Sequence, residues 1–304
     1  MKKRSQSQNR RIAIQNGNKP LLGFCGQGFV GSNMADDFET RGYKVIRYSL
    51  DKEYLKNKNK IKTADIVFFA VPTPTTPNGF DDSILEKVLS LVGKGKIAVI
   101  KSTIIPGTTE KFQKKFKDII ILHSPEFLTE KTAKYDAKFP DRNIVGYLPS
   151  KRGSEASAYK VLDILPNAPY RAVMRAQEAE MVKYGNNCWF YFKVVYMNIL
   201  YEICQSKKID FEIVKKAMSF DPRIGHTHLD VVHQGGRGAG GGCLIKDLSA
   251  FSILYDEAND VRGKMVLLEI QAKNIQLLID SGKDIGLLSG VYGDKLIDEL
   301  KKLK

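Results

Sequence analysis

Leu21-Leu22-Gly23-Phe24-Cys25-Gly26-Gln27-Gly28-Phe29-Val30-Gly31 is the stretch that decides the fold. An apolar run of strand character ends in G-x-G-x-x-G. Residues 32–42 then continue as a short helix, and Tyr43 to Ser49 read as a second strand. Strand, glycine turn, helix and strand make a βαβ unit, and in that context the turn is a dinucleotide fingerprint. Gly26 permits the tight turn, Gly28 lets the backbone approach a pyrophosphate, and Gly31 lets the helix pack on the sheet. Around Phe29 and Val30 the helix N-terminal amides attract negative charge. The bland alternative is a glycine turn with no ligand, which the placement directly between strand and helix disfavours. The second strand of such a unit usually ends in an acid that holds the adenosine ribose, and here Ser49 stands at that place. Asp51, two residues on and on the same side of an extended chain, can substitute; alternatively Ser49 with Lys52 tolerates a 2′-phosphate, so NAD and NADP both stay open.

Outward from this unit, three more apolar runs follow: Asp65–Val71, Lys96–Ser102 and Ile119–Ser124. Each is separated from the next by a helical or turn segment, which predicts a Rossmann-type parallel sheet covered on both faces. After a strand-like Asn143–Pro149 and a helix near Ser154–Leu165, strand signals almost vanish. Helical spacing runs from Ala176 to Ile203 and again from Asp247 to Asp280, the latter a helix of about nine turns if unbroken. The expected organisation is a basic tail at 1–19 and a dinucleotide-binding domain at 20–172. A helical domain at 173–287 and a weakly structured tail at 288–304 complete it.

A chain of 304 residues with 43% apolar and 27% charged residues is ordinary for a two-domain globular protein. The most apolar stretch, Cys188 to Cys204, is interrupted by Lys193 and Glu202, so it reads as a buried amphipathic helix and no membrane span is expected. The basic N-terminus lacks the apolar core of a secretory signal, which points to the cytoplasm. Cys25, Cys188, Cys204 and Cys243 lie far apart with no CxxC pair, as reduced thiols would. A net charge of +14 favours anionic partners, and charge alone does not choose between nucleic acid and phosphorylated small molecules. Clusters such as Lys56–Lys62 read as solvated surface, and no nucleic-acid partner is expected.

Seven further motifs recur in one order. In the first half stand Val71-Pro72-Thr73-Pro74, Lys101-Ser102-Thr103 with Pro106-Gly107-Thr108, and Ser124-Pro125-Glu126-Phe127-Leu128-Thr129-Glu130, then Asp141-Arg142 with Ile144-Val145-Gly146. In the second half stand Ala179-Glu180-Met181-Val182-Lys183-Tyr184 with Asn187, Asp221-Pro222-Arg223-Ile224-Gly225, and Gly241-Gly242-Cys243-Leu244-Ile245-Lys246-Asp247. Over roughly Leu21 to Asp280 the chain resembles the UDP-glucose/GDP-mannose dehydrogenase family.

That resemblance implies an all-helical, 6-phosphogluconate-dehydrogenase-like dimerisation domain, a homodimer, and NAD-dependent oxidation of a nucleotide-sugar primary alcohol to a carboxylate for polysaccharide precursors. It implies Cys243 as the nucleophile, and the residues agree: a thiol in a glycine-rich loop near Lys183 and Asp247 can be deprotonated and attack an aldehyde. Lys183 and Asn187, one helical turn apart, would stabilise the oxyanion. Asp247 would position or deprotonate water, with Thr103 and Glu126 assisting. Glu130, Arg223 and Arg237 would hold substrate, and Pro72, Thr73, Thr103 and Lys246 would contribute to the cofactor site with the glycine turn and Asp51. Each has a bland rival: Lys183 as a solvated helix residue, Glu126 and Glu130 as caps of the following helix, Asp247 as an N-cap. His226, His228 and His233 carry no acidic cluster, and the family offers no metal.

Members of the family also carry a third, nucleotide-gripping domain, and the residues after Asp280 are too few to fold as one. The substrate could therefore be another phosphorylated or simpler sugar, or a partner could supply the surface. Two other readings remain: a non-catalytic NAD-binding or assembly protein, and a single-step hydroxyacid-type dehydrogenase, which needs no thiol.

Overall fold

In the computed structural model, residues 19–302 are described; the expected basic tail therefore falls almost wholly outside the described residues. The first half runs β1 (Leu22–Cys25), α1 (Phe29–Thr40), β2 (Val45–Tyr48), α2 (Lys52–Leu55), β3 (Ile66–Phe69) and a hairpin of β4 (Thr75–Thr76) with β5 (Gly79–Phe80). It continues through α3 (Ser83–Leu89), β6 (Ile97–Ile100), α4 (Thr108–Lys115), β7 (Ile120–His123), α5 (Ala133–Lys138), β8 (Arg142–Tyr147), α6 (Ser154–Ile164) and β9 (Tyr170–Arg175). Seven strands form one sheet in the order β2-β1-β3-β6-β7-β8-β9. The first five are parallel; β8 turns against β7 at the His123–Gly146 pairing, and β9 follows β8 in parallel. The sheet thus extends to Arg175, three residues past the boundary expected at 172.

Strand alternation divides the core between the two faces of this sheet. Leu22, Phe24, Phe68, Val99 and Leu122 bury one face against α1 and α6, where the Phe24 and Phe68 rings stack at 4.9 Å. Cys25, Val67, Phe69, Ala98 and Ile100 bury the other against α3 and α4. Burial on both sides explains why these strands read as continuous apolar runs.

The second half is helical apart from a short hairpin of β10 (Val232–His233) and β11 (Gly236–Arg237). It contains α7 (Ala176–Lys207), α8 (Phe211–Ser219), α9 (Gly241–Leu254), α10 (Val261–Ser281), α11 (Ile285–Tyr292) and α12 (Asp294–Lys302). Two sequence expectations are corrected here. The segment from Asp247 to Asp280 is broken by a 3-10 turn at Tyr255–Ala258, with Asn259 in the left-handed region and Asp260 capping α10 at Arg262 N, so the long helix of the protein is α7. The described part of the expected tail, residues 288–302, is not loose: Leu288, Val291 and Ile297 bury themselves against Ile245, Ile275 and Leu278. Spacing of three and six between those residues is an amphipathic signal that short length concealed. No helix among the described residues is long and apolar enough to cross a membrane.

Candidate active site

A cleft of about 740 Å³ opens between the sheet and the helical half. On one side it is lined by Phe29 of the glycine turn, Lys101 at the end of β6 and the Pro125–Thr129 segment after β7. On the other stand Lys183 and Asn187 of α7 with Cys243 and Leu244 of α9. Sheet strands end here because their carboxyl ends abut the helical half, the position where open α/β sheets hold ligands.

The glycine turn fits a dinucleotide. A Cβ on Gly26 would lie 2.1 Å from the Ala70 carbonyl oxygen, and one on Gly31 would lie 2.0 Å from the Gly26 carbonyl oxygen. Around Gly28, by contrast, nothing lies within 4 Å. The turn is therefore closed behind and open in front. Gly28 is the N-cap of α1 and supplies no side-chain cap, which leaves the first-turn amides free for an anion. Asp51, at the N-cap of α2, accepts from Ser49 Oγ at 2.7 Å, so the serine and the acid form one unit at the end of β2. Arg47 is engaged with Asp36 and Glu39 at 2.6 and 2.7 Å.

Behind the turn, the strand-end loops knit together. Ser102 Oγ donates to Val71 O at 2.7 Å and Thr73 Oγ1 donates to Thr103 O at 2.6 Å. These bonds brace the loops that carry Pro72, Thr73 and Thr103 against one another.

The chemical groups meet across the cleft. Lys183 Nζ lies 2.9 Å from Glu126 Oε1, with both side chains almost wholly buried. Lys183 is thus no solvated helix residue, and Glu126 does double service, its other oxygen accepting from Leu128 N at 2.8 Å. Asn187 Nδ2 donates to Asp247 Oδ2 at 2.5 Å, and Lys246 Nζ pairs with Asp247 Oδ1. Asp247 sits fully buried at the seventh residue of α9, not at its N-cap. Lys246, expected at the cofactor site, is engaged in neutralising this buried carboxylate. One of the two Asn187 amide hydrogens is committed to Asp247, leaving one for an oxyanion.

Cys243 is the third residue of α9, exposed on the cleft wall. Although the residue keeps an exposed edge, the protein packed around its sulfur is the largest influence on the thiol and raises its pKa, and Asp247 raises it further; Lys246 and Lys183 oppose them. With its pKa raised above the ordinary thiol value, Cys243 is not a preformed thiolate.

Three expected substrate residues are not brought to this cleft. Arg223 is exposed and folded back on Asp221. Arg237 is tied to Asn198 and Glu202 at 2.9 Å each, stacked over Tyr201. Glu130 sits outside the lining on a 3-10 turn. Local carboxylates satisfy both arginines, which no linear motif reveals.

Sequence reasoning missed Lys101. Its Nζ is buried, donates to Ser124 Oγ at 3.1 Å and Pro125 O at 3.2 Å, and burial pushes its pKa down to about 8. It also missed the Arg142 guanidinium lying 3.7 Å over the Phe127 ring, and the parallel stack of Phe190 and His228 at 4.1 Å. His228 and His226 thus act as aromatic neighbours, the latter edge-on to Phe220.

Two family models match this chain: the NAD binding domain of the UDP-glucose/GDP-mannose dehydrogenase family over 51–162 and its central domain over 177–273. Together they span more than half of the chain, in the order of the two structural halves. The chain belongs to the UDP-glucose/GDP-mannose dehydrogenase family. The matched ranges begin at Asp51, beyond the glycine turn, and include Lys101, Glu126, Lys183, Asn187, Cys243 and Asp247. A UDP-glucose 6-dehydrogenase of Rickettsia bellii is 26% identical over 280 residues, covering 84% of this chain and 63% of the relative. One of Pseudomonas aeruginosa is 30% identical over 227 residues, covering 69% and 48%. The chain thus spans roughly half to just under two thirds of the length of these curated relatives. A solved UDP-glucose dehydrogenase from Pyrobaculum islandicum shares the fold with a TM-score of 0.74 at 24% identity, covering 88% of this chain and 71% of that one.

Proposed function

We propose that this chain catalyses the NAD-dependent, two-step oxidation of a nucleotide-sugar primary alcohol, UDP-glucose-like, to the uronate through Cys243, as a cytoplasmic homodimer. The observation that carries the reading is the convergence of Cys243, the Lys183–Glu126 pair and the Asn187–Asp247 pair on one cleft beside the glycine turn. NAD supplies the hydride acceptor in both steps when bound. Asp51 with Ser49, and the engagement of Arg47 by two acids, favour NAD over NADP.

The chain's own groups do the rest. In the first step the alcohol gives up its hydroxyl proton to water in the cleft as the hydride leaves; Lys183, held by Glu126, donates to the sugar oxygen as charge develops there, and the remaining Asn187 N–H adds a second donor. The Cys243 sulfur bonds to the aldehyde carbon while the thiol proton ends on the aldehyde oxygen. Loss of that hydroxyl proton and a second hydride leaves a thioester. Water, oriented by Asp247 and giving up a proton, then breaks the C–S bond, releasing carboxylate and regenerating the thiol. Because Cys243 starts protonated, attack awaits removal of its proton in the loaded cleft. Arg142 and Lys183 over Phe127 suit an anionic substrate. For the dimer, α7 exposes Trp189, Tyr196, Ile199 and Ile203 along one helix, an apolar face of the kind a second copy covers.

The test is NADH formation from a panel of UDP-, GDP- and unactivated sugars, with Cys243→Ser as control. Two NADH per uronate, with the variant stopping at free aldehyde, is the expected result. Unchanged turnover in Cys243→Ser would overturn the covalent step, and cofactor binding without turnover on any sugar would favour a binding role.

A further inference from the structure

The loop that delivers Cys243 does not support itself. Its residues 237–241 bond to the end of α10 and the turn into α11. Arg237 N donates to Ser281 Oγ at 3.0 Å, and Asn274, fully buried, accepts from Ala239 N at 2.6 Å and donates to Ala239 O at 2.9 Å. Lys283 Nζ, also buried, donates to Gly238 O at 3.1 Å. Last, Gly241 N donates to Asp284 Oδ2 at 2.8 Å. Gly241 is the first residue of α9 and its N-cap Gly240 has no side chain, so Asp284 supplies from outside the cap that α9 lacks. A Cβ on Gly240 would lie 2.1 Å from Asp284 Oδ2 and 2.6 Å from Lys283 Cε, so loop and turn are in direct contact. Asp284 holds its place with its backbone in the left-handed region, φ 54, a conformation that costs an aspartate energy and persists only where surroundings fix it.

We infer that Asp284 is a positioning residue for Cys243: through Gly241 N it fixes the first turn of α9, within the frame set by Asn274 and Lys283, and so aims the thiol into the cleft. The inference rests on the proposed role of Cys243 for its consequence in catalysis, but not for its geometry. Only Gly242 separates Gly241 from Cys243, so freedom at the cap passes directly to the sulfur. A displacement on the order of 1 Å at such a distance from the chemistry is enough to cost a reaction about a hundredfold.

The experiment uses the full chain with Asp284→Ala, Asp284→Asn and Gly240→Ala, the last pressing on the clamp from the loop side. Three readouts apply: hydrogen exchange of the 237–243 backbone, the rate and pH profile of Cys243 alkylation by iodoacetamide, and kcat and KM for the sugar. Asp284→Ala and Gly240→Ala are expected to speed loop exchange at least tenfold. They should also change Cys243 alkylation severalfold and lower kcat at least tenfold with the KM for NAD retained, while Asp284→Asn, which still accepts from Gly241 N, restores exchange and kcat to within about twofold. Wild-type exchange and alkylation in Asp284→Ala would overturn the inference, as would an Asp284→Asn variant as impaired as Asp284→Ala. If only one of the alanine variants folds, that one carries the comparison. Failure of the nucleophile reading looks different: Cys243→Ser then keeps full turnover, while exchange and alkylation still respond to Asp284.

Discussion

Glu180 offers the sharpest test of how the two halves are joined. It lies on α7 one turn before Lys183 and is fully buried, and its carboxylate reaches into the other half to accept from Gly107 N at 2.7 Å, Thr109 N at 2.9 Å and Thr109 Oγ1 at 2.5 Å. It thereby caps α4 and locks the helix that carries Lys183 and Asn187 against the loop that follows Thr103. Glu180→Ala strands three donors in a dry interior at about 1–3 kcal/mol each; with partial rescue by entering water the loss should come to roughly 3–5 kcal/mol. For a chain of this size that lowers Tm by about 6–15 °C, read by circular dichroism, and NADH formation should fall with it. Glu180→Gln keeps the volume and one acceptor and should lose about half as much. Burial is the largest influence on this carboxyl and raises its pKa, against the Thr109 and Gly107 hydrogen bonds that lower it. A folded-state pKa above the unfolded one means that the folded chain holds the proton more tightly. The contribution of Glu180 to folding is therefore greatest below its ordinary value of 4.5 and declines as pH rises through the folded value. Stability of Glu180→Gln relative to wild type should accordingly improve as pH climbs. A Tm for Glu180→Ala within about 2 °C of wild type would refute the reasoning.

Two further outcomes follow from the same geometry. Gly28→Ala places a Cβ in open space, so Tm should stay within about 2 °C of wild type while titration calorimetry shows NADH affinity reduced at least tenfold; unchanged affinity would move the dinucleotide elsewhere. Lys101, at about 8 in the folded chain against 10.5 when free, is favoured in its neutral form, so wild-type stability should rise by about 3 kcal/mol between those pH values and fall again as pH drops through 8. Denaturant unfolding of Lys101→Met, which cannot titrate, should lack that rise.

Much of the site was written along the chain. The G-x-G-x-x-G turn after an apolar strand, Lys183 and Asn187 at helical spacing, and Cys243 among glycines with Asp247 a turn later are local patterns. Their spacing alone puts each pair on one face of one element. The sheet was equally legible, because strands buried on both faces must be apolar throughout. Less legible was the break of the second long helix at Asn259-Asp260: its apolar spacing continues across the turn, and only the left-handed backbone of Asn259 and the Asp260 cap end it.

Sequence by itself determined which residues can do chemistry here; the tertiary structure decided which of them face one another, and in what electrical state. Arg223 and Arg237 look like substrate clamps in a row of letters, yet nearby carboxylates take them, since a guanidinium is satisfied by whichever acid the fold brings within reach. Lys101, Asn274 and Asp284 look like nothing in particular. Lys101 becomes a buried cation of the cleft because the ends of β6 and β7 enclose it, and the other two become the frame of the Cys243 loop because α10 returns alongside it. Even the thiol has its pKa pushed further above the ordinary value by burial and by the Asp247 charge that only packing creates.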